Sequence, residues 1–178
     1  MQILQMYYLC PIIIRYNTIC FLTAINNFRD WNEWFSLGGV NVSNNIDRIM
    51  NMIDWNNDAS IQAAGIKMAE AERDNRVFIQ PCTESYSKNV WDNCALILSK
   101  KSDAELAPYL SELFEWLQDM NWPGAFCILS RLKNYTEDDL FNSTLDTCLS
   151  RAKISADDVW WNNLHMLKNE KADTKLNL

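Results

Sequence analysis

The sequence predicts an all-α fold, an array of antiparallel helix hairpins, on three observations. Glycine and proline are scarce, at four each in 178 residues, against about 7% and 5% in ordinary globular chains. β-Sandwiches and dinucleotide-binding α/β folds need many more turn glycines than that. Apolar residues recur at i, i+3, i+4 and i+7 in one segment after another, the period of a helix with one buried face. Helix-starting residues follow each other with almost no long loop between them. At 48% hydrophobic and 22% charged residues, the chain can bury a sizeable core, and wholesale disorder is excluded.

The first 42 residues stand apart. Between Ile3 and Ile25 only Arg15 is charged, yet Pro11 and Arg15 interrupt what would be a span of about 20 apolar residues. Arginine near the middle of a membrane helix costs about 2.5–3.5 kcal/mol on insertion scales. No basic residue precedes the apolar stretch and no A-x-A site follows it, so a secretory signal is no better supported. A packed helix, a weak membrane anchor and an upstream extension stay open. Residues 1–42, including Trp-rich Phe28–Phe35 and the Gly38-Gly39 break, are read as an extension outside the main domain. Membrane contact by residues 1–25 is kept as an alternative.

The main domain is expected over 43–168. Ser43 caps a first helix with Ile46, Ile49, Met50 and Ile53 inside. Asp58 caps a second, carrying Ile61, Ala64, Gly65, Met68 and Ala71 on one face. Val77-Phe78-Ile79 tucks into the core from a polar loop, and Ser87 opens a third helix with Val90, Trp91, Cys94, Ala95 and Leu98. Ser102-Asp103-Ala104-Glu105 is a capping box. It starts a helix bearing Leu106, Tyr109, Leu110, Leu113, Phe114 and Leu117, and Pro108 predicts a kink or fresh start within it. Asn121 is expected to cap the next helix, with Phe126, Ile128, Leu129 and Leu132 inward. Thr136-Glu137-Asp138-Asp139 begins a helix with Leu140, Phe141, Thr144, Leu145 and Cys148, its acids facing the positive helix end. Ser155 to Asp158 begins a last one with Val159, Trp160, Leu164 and Leu167. Of Trp160 and Trp161, about 100° apart on a helix, one should be buried and one half-exposed. Residues 169–178 read as a polar, frayed tail.

Sixteen basic against 23 acidic side chains give a net charge of −7. A nucleic-acid binder neutralises phosphates with Lys and Arg, and the longest basic run here is Lys100-Lys101, so no nucleic-acid partner is expected. None of the six cysteines forms C-x-x-C and no Cys/His cluster has ligand spacing, which predicts reduced thiols, a cytoplasmic location and no metal. His165 is the single histidine, excluding two-histidine metal sites and histidine relays. It is read as a cation near a helix end. Nucleotide-binding and nucleophile-elbow motifs are missing, and no cofactor is expected.

Trp55, Trp91, Trp122 and Trp160 lie 36, 31 and 38 residues apart, a period that suits stacked helix hairpins. The stretch Ala107-Pro108-Tyr109-Leu110-Ser111-Glu112-Leu113-Phe114-Glu115-Trp116-Leu117-Gln118-Asp119-Met120-Asn121-Trp122-Pro123-Gly124-Ala125 resembles the core motif of a family of small bacterial proteins, domain of unknown function 5071. The likeness extends from about Asp54 to Leu167 and includes Val90-Trp91-Asp92-Asn93-Cys94. It implies a HEAT-like array of antiparallel helix hairpins and no activity.

The candidate surface is Trp91, Asp92, Glu115, Trp116, Asp119, Asn121 and Trp122. On an unbroken helix Glu115 and Asp119 share a face. Carboxylates beside indoles grip a basic protein or peptide, or serve a small acidic enzyme as an acid/base pair. The same residues also suit a tight turn, with Asn121 as cap and the indoles as packing. The favoured expectation is a non-enzymatic protein-binding module, its sharpest form an immunity-type partner that neutralises a basic toxin.

Overall fold

The computed structural model describes residues 42–83, 86–136 and 139–176, and among them there is no strand. The chain divides into two units, Met1–Val42 and Ser43–Leu178, and the description concerns the second. The expected N-terminal extension, with its possible membrane contact, lies outside the described residues, as do Glu137 and Asp138. The helices are α1 (Val42–Met52), α2 (Ala59–Ala69), α3 (Gln80–Thr83), α4 (Trp91–Ser99), α5 (Asp103–Leu106), α6 (Leu110–Glu115), α7 (Ala125–Lys133), α8 (Asp139–Ile154) and α9 (Asp158–Leu176). Single 3-10 turns at Asn75–Phe78, Lys88–Val90, Ala107–Tyr109 and Trp116–Gln118 join or extend them. The fold is all-α.

Two local signals act where the sequence put them, while Ser43, expected as a cap, lies inside α1. The Ser102 hydroxyl receives the Glu105 backbone N–H, and the Glu105 carboxylate accepts the Ser102 N–H at 2.9 Å, completing the capping box. The Ser102 hydroxyl and backbone N–H also hold Glu105 below the usual carboxylate range. Pro108 lies in the 3-10 turn that separates α5 from α6, because its ring denies the helix one N–H. Phe78 and Ile79 are buried as expected, as are Ile49 and Met50 on α1 and Ile53 just after it. Trp160 is buried and Trp161 half-buried.

One polar device, used three times, sets the helix order. The carbonyls closing a helix lack intrahelical partners and form its negative end. Lys101, after α4, donates its ammonium to the carbonyls of Glu70 and Glu72 just past α2. Arg131 on α7 donates to the Lys101 carbonyl just past α4, at 3.0 and 3.3 Å. Lys171 on α9 donates to Leu132, Lys133 and Tyr135 at the end of α7, at 3.1, 3.0 and 2.7 Å. At the opposite end, Asn93 donates to Ile53 ahead of α2, and Asn163 to Leu117 ahead of α7. Ends therefore match ends, and α2, α4, α7 and α9 run parallel in one layer. Asn93 and Lys101 stand to each other as Asn163 and Lys171 do, eight residues apart. This is a firmer internal echo than the tryptophans, since Trp55 is 44% exposed while Trp91 and Trp160 are buried.

Several expectations are corrected. On α2 the buried face is Gly65, Ile66 and Ala69, and Ile61, Ala64 and Ala71 are exposed. A Cβ on Gly65 would come within 2.8 Å of Met52 and Ile53, so the helix turns its smallest residue toward α1. Asp58 stands at the N-cap of α2 without a side-chain bond there. Phe126, Leu140 and Val159 face solvent, each lying off the stripe that its helix buries. The tail is no frayed end: α9 runs to Leu176, and Lys171 is 7% exposed. His165 consequently lies mid-helix, its ring centroid 3.8 Å from that of Trp161. Among the described residues no helix is long and apolar enough to cross a membrane.

Candidate functional site: one end and the outer face of the helix layer

The chain between α6 and α7 builds the tryptophan seam. Helix α6 stops at Glu115, a 3-10 turn carries Trp116–Gln118, and Asp119 is extended at φ −132°. Asp119 then organises the turn: its carboxylate accepts the backbone and side-chain N–H groups of Asn121, at 2.8 and 3.0 Å. Its carbonyl accepts Trp122 N–H at 3.0 Å. Gly124 ends the turn at φ +81° and is the N-cap of α7. Asn121 is thus a turn residue and not the cap, because three more residues are needed to swing the chain back against α4.

Gly124 is required twice over. Its φ belongs to the left-handed region, which costs an L-residue about 1–2 kcal/mol. A Cβ there would also sit 2.5 Å from the Ala95 Cβ and 3.0 Å from the Trp91 carbonyl. Gly124→Ala should therefore destabilise the domain by about 3 kcal/mol, adding overpacking to backbone strain. Urea melts of the two proteins measure it.

Seven residues were singled out from sequence, and the structure separates them. Trp116 is fully buried, with its indole N–H donated to the Pro123 carbonyl at 3.1 Å. Trp91 is 6% exposed and packs edge-to-face on Trp116 and on half-buried Trp122, with centroids 6.5 and 6.0 Å apart. Asp92 and Asn121 are exposed and Asp119 is half-buried. Glu115 turns away to Arg151 on α8, at 2.5 Å, and this bond raises the Arg151 pKa. The arginine also lies over the Trp160 ring, 5.4 Å from its centroid. Glu115 and Asp119 do not share a helix face, since the helix ends between them, and each carboxylate is committed to a different partner. The seam is packing; Asp92, Asp119, Asn121 and the edge of Trp122 are what it offers to solvent.

The outer face of the layer adds residues that the sequence reading missed. Leu96 on α4 is 40% exposed, Phe126 on α7 71% and Met166 on α9 42%. The register of the layer brings them to within about one helical turn of each other. Lys101 meets Arg131, and Gly124 meets Trp91 and Ala95, so Leu96 lies opposite the first turn of α7. Lys133 pairs with Glu170 at 2.6 Å, so Phe126 lies level with Asn163, one turn before Met166. Phe126 falls about 100° from Ala125 on the wheel, just beyond the buried stripe of Ala125, Ile128, Leu129 and Leu132, so its inward placement from sequence overextends that stripe.

Thiol chemistry is muted at the three cysteines whose side chains are described. Cys94, Cys127 and Cys148 are free, and burial pushes the pKa of each up, away from the thiolate that reacts. Among the described residues no group of three or more His, Cys, Asp or Glu could hold a metal ion.

Parallel helices stacked by repeated caps, with a packed aromatic seam and a solvent-facing row, define an all-α helical domain. The family model described as domain of unknown function (DUF5071) matches residues 87–175, and the chain belongs to that family. The match starts at Ser87, not near Asp54, and runs past Leu167 through most of α9. It therefore spans the seam and the α4, α7 and α9 face. Neither the curated proteins nor the solved structures give a match to this chain.

Proposed function

We propose that the domain is a non-enzymatic, cytoplasmic protein-binding module whose partner is a basic protein, in its sharpest form a toxin that it neutralises as an immunity partner. The observation that carries the reading is the seam's exposed edge. Asp119 and Asn121 share a turn with half-buried Trp122, and Asp92 follows Trp91, on which Trp122 packs edge-to-face; a polar, acidic rim beside an aromatic anchor is how hot spots are built. A parallel layer of helices, capped in the same way three times, supports a HEAT-like array as the scaffold. The net charge of −7 favours encounter with a basic surface.

Charge reversal tests this without touching the packing. Glu115→Lys would break the ion pair with Arg151, and Asp119→Lys would remove the turn's acceptor, so neither separates binding from folding. Asp92→Lys with Asn121→Lys alters exposed positions and leaves the backbone bond from residue 121 to Asp119 in place, so the urea midpoint should move by only about 0.5 kcal/mol per site. Like charges at an interface cost several kcal/mol, so capture of the basic partner from cells of the source should fall at least tenfold, about 1.4 kcal/mol. The captured protein, expressed alone, should arrest growth, and co-expression of the native chain but not the double variant should restore it. Equal capture by both proteins would sink the reading.

A further inference from the structure

The outer face carries two bands that cross the same three helices. One is apolar: Leu96, Phe126 and Met166, one exposed side chain from each of α4, α7 and α9. The other is acidic and lies toward the helix starts: Asp92 in the first turn of α4, Asp119 in the turn before α7, and Asp158 in the first turn of α9. Packed helices lie about 8–10 Å apart, so neighbouring members of the apolar band are separated by about one such step. An α-helix advances 1.5 Å per residue, and seven residues span about 10 Å. A helix laid across the layer therefore brings side chains at i, i+7 and i+14 over the three apolar positions in turn. Its adjoining flank then lies over the three carboxylates.

We propose that this face docks an amphipathic, Lys- and Arg-bearing α-helix of the partner, with apolar anchors on Leu96, Phe126 and Met166 and a basic flank over Asp92, Asp119 and Asp158. The proposal rests on the protein-binding reading and names the element that the partner presents. Charge argues for this occupant over a second copy. Two copies of a chain carrying −7 would bring acidic bands together at the same face, whereas a basic helix removes that repulsion. Two basic groups of the layer are engaged elsewhere, Arg131 with Asp103 and Lys133 with Glu170, so the carboxylate band is not neutralised by those two.

The probe is an 18-residue helical Leu/Lys peptide with leucine at the i, i+7 and i+14 face, titrated calorimetrically into the full chain. Three controls accompany it: the same peptide with Glu for Lys, a version with proline at its centre, and the Lys peptide at raised salt. The Lys peptide should bind, and the Glu and proline versions should bind at least tenfold more weakly. Phe126→Ser should weaken the Lys peptide at least tenfold. Asp92→Asn with Asp158→Asn should weaken it and flatten its salt dependence. Ile154→Ser removes an apolar side chain that is 87% exposed elsewhere, and should change nothing. Equal losses in Phe126→Ser and Ile154→Ser, or equal binding of the Glu peptide, would overturn the proposal. So would a dimer in sedimentation that Phe126→Ser abolishes, because the face would then belong to a second copy. A native basic partner lost with Asp92→Lys and Asn121→Lys, yet held normally by Phe126→Ser, would keep the module and discard the docked helix. Absence of any basic partner would discard the module itself.

Discussion

Trp116→Ala should lower stability by about 3–5 kcal/mol, the range for truncating a buried tryptophan, and the loss should appear as a shift of the urea midpoint. Trp116 has no exposed surface. Removing it deletes the edge-to-face contact with Trp91 and the bond from its indole to Pro123, and opens space beneath the Gly124 turn. Trp116→Phe isolates the polar part. The ring still fills most of the site, while the Pro123 carbonyl loses its donor, so about 1–3 kcal/mol should be lost. A Trp116→Ala protein with an unshifted midpoint would mean that the seam is not the core of this half of the domain.

Lys171→Met should cost about 3 kcal/mol, because one ammonium satisfies three carbonyls and bonds to a charged group are worth more than neutral ones. Methionine keeps an apolar stem of similar length, so the loss reports the ammonium and not the packing. Lys171 is buried, and its ammonium also lies 4.9 Å from the centroid of Phe141. Lys168, three residues earlier, is the control. It pairs with Asp146 at the surface, where a pair is worth about 0–1 kcal/mol, and Lys168→Met should leave the midpoint almost unmoved. Similar midpoints for the two variants would refute the end-capping account of the layer.

Much of the fold was legible because its signals are local. The capping box at Ser102, the break at Pro108, and the apolar stripes of α1 and α4 depend on residues within a turn or two of each other. The same locality explains the errors on α2, α7, α8 and α9. An apolar residue beside a buried stripe reads as part of it, and only a neighbouring helix decides where the stripe ends. Phe126, Leu140 and Val159 lie just past that edge. Asn121 reads as a cap because its residue type suits one; the actual cap, Gly124, is set by the close approach of α4.

The candidate site divides along the same line. Asp92, Asp119, Asn121 and Trp122 are findable from their motif, since turns between helices need short polar residues and an aromatic lock. Burial of Trp116 is not, and neither is the turn of Glu115 toward Arg151, 36 residues away. Leu96, Phe126 and Met166 form a row only once α4, α7 and α9 are aligned. By itself the sequence determined the helical class, most helix starts, and the acidic, aromatic character of one turn. Tertiary structure alone decided which indoles are core, how far α9 extends, and which residues share the outer face. The physical reason is range: a cap or stripe is set by neighbours in the chain, whereas Lys101, Arg131 and Lys171 act on carbonyls about thirty to forty residues away.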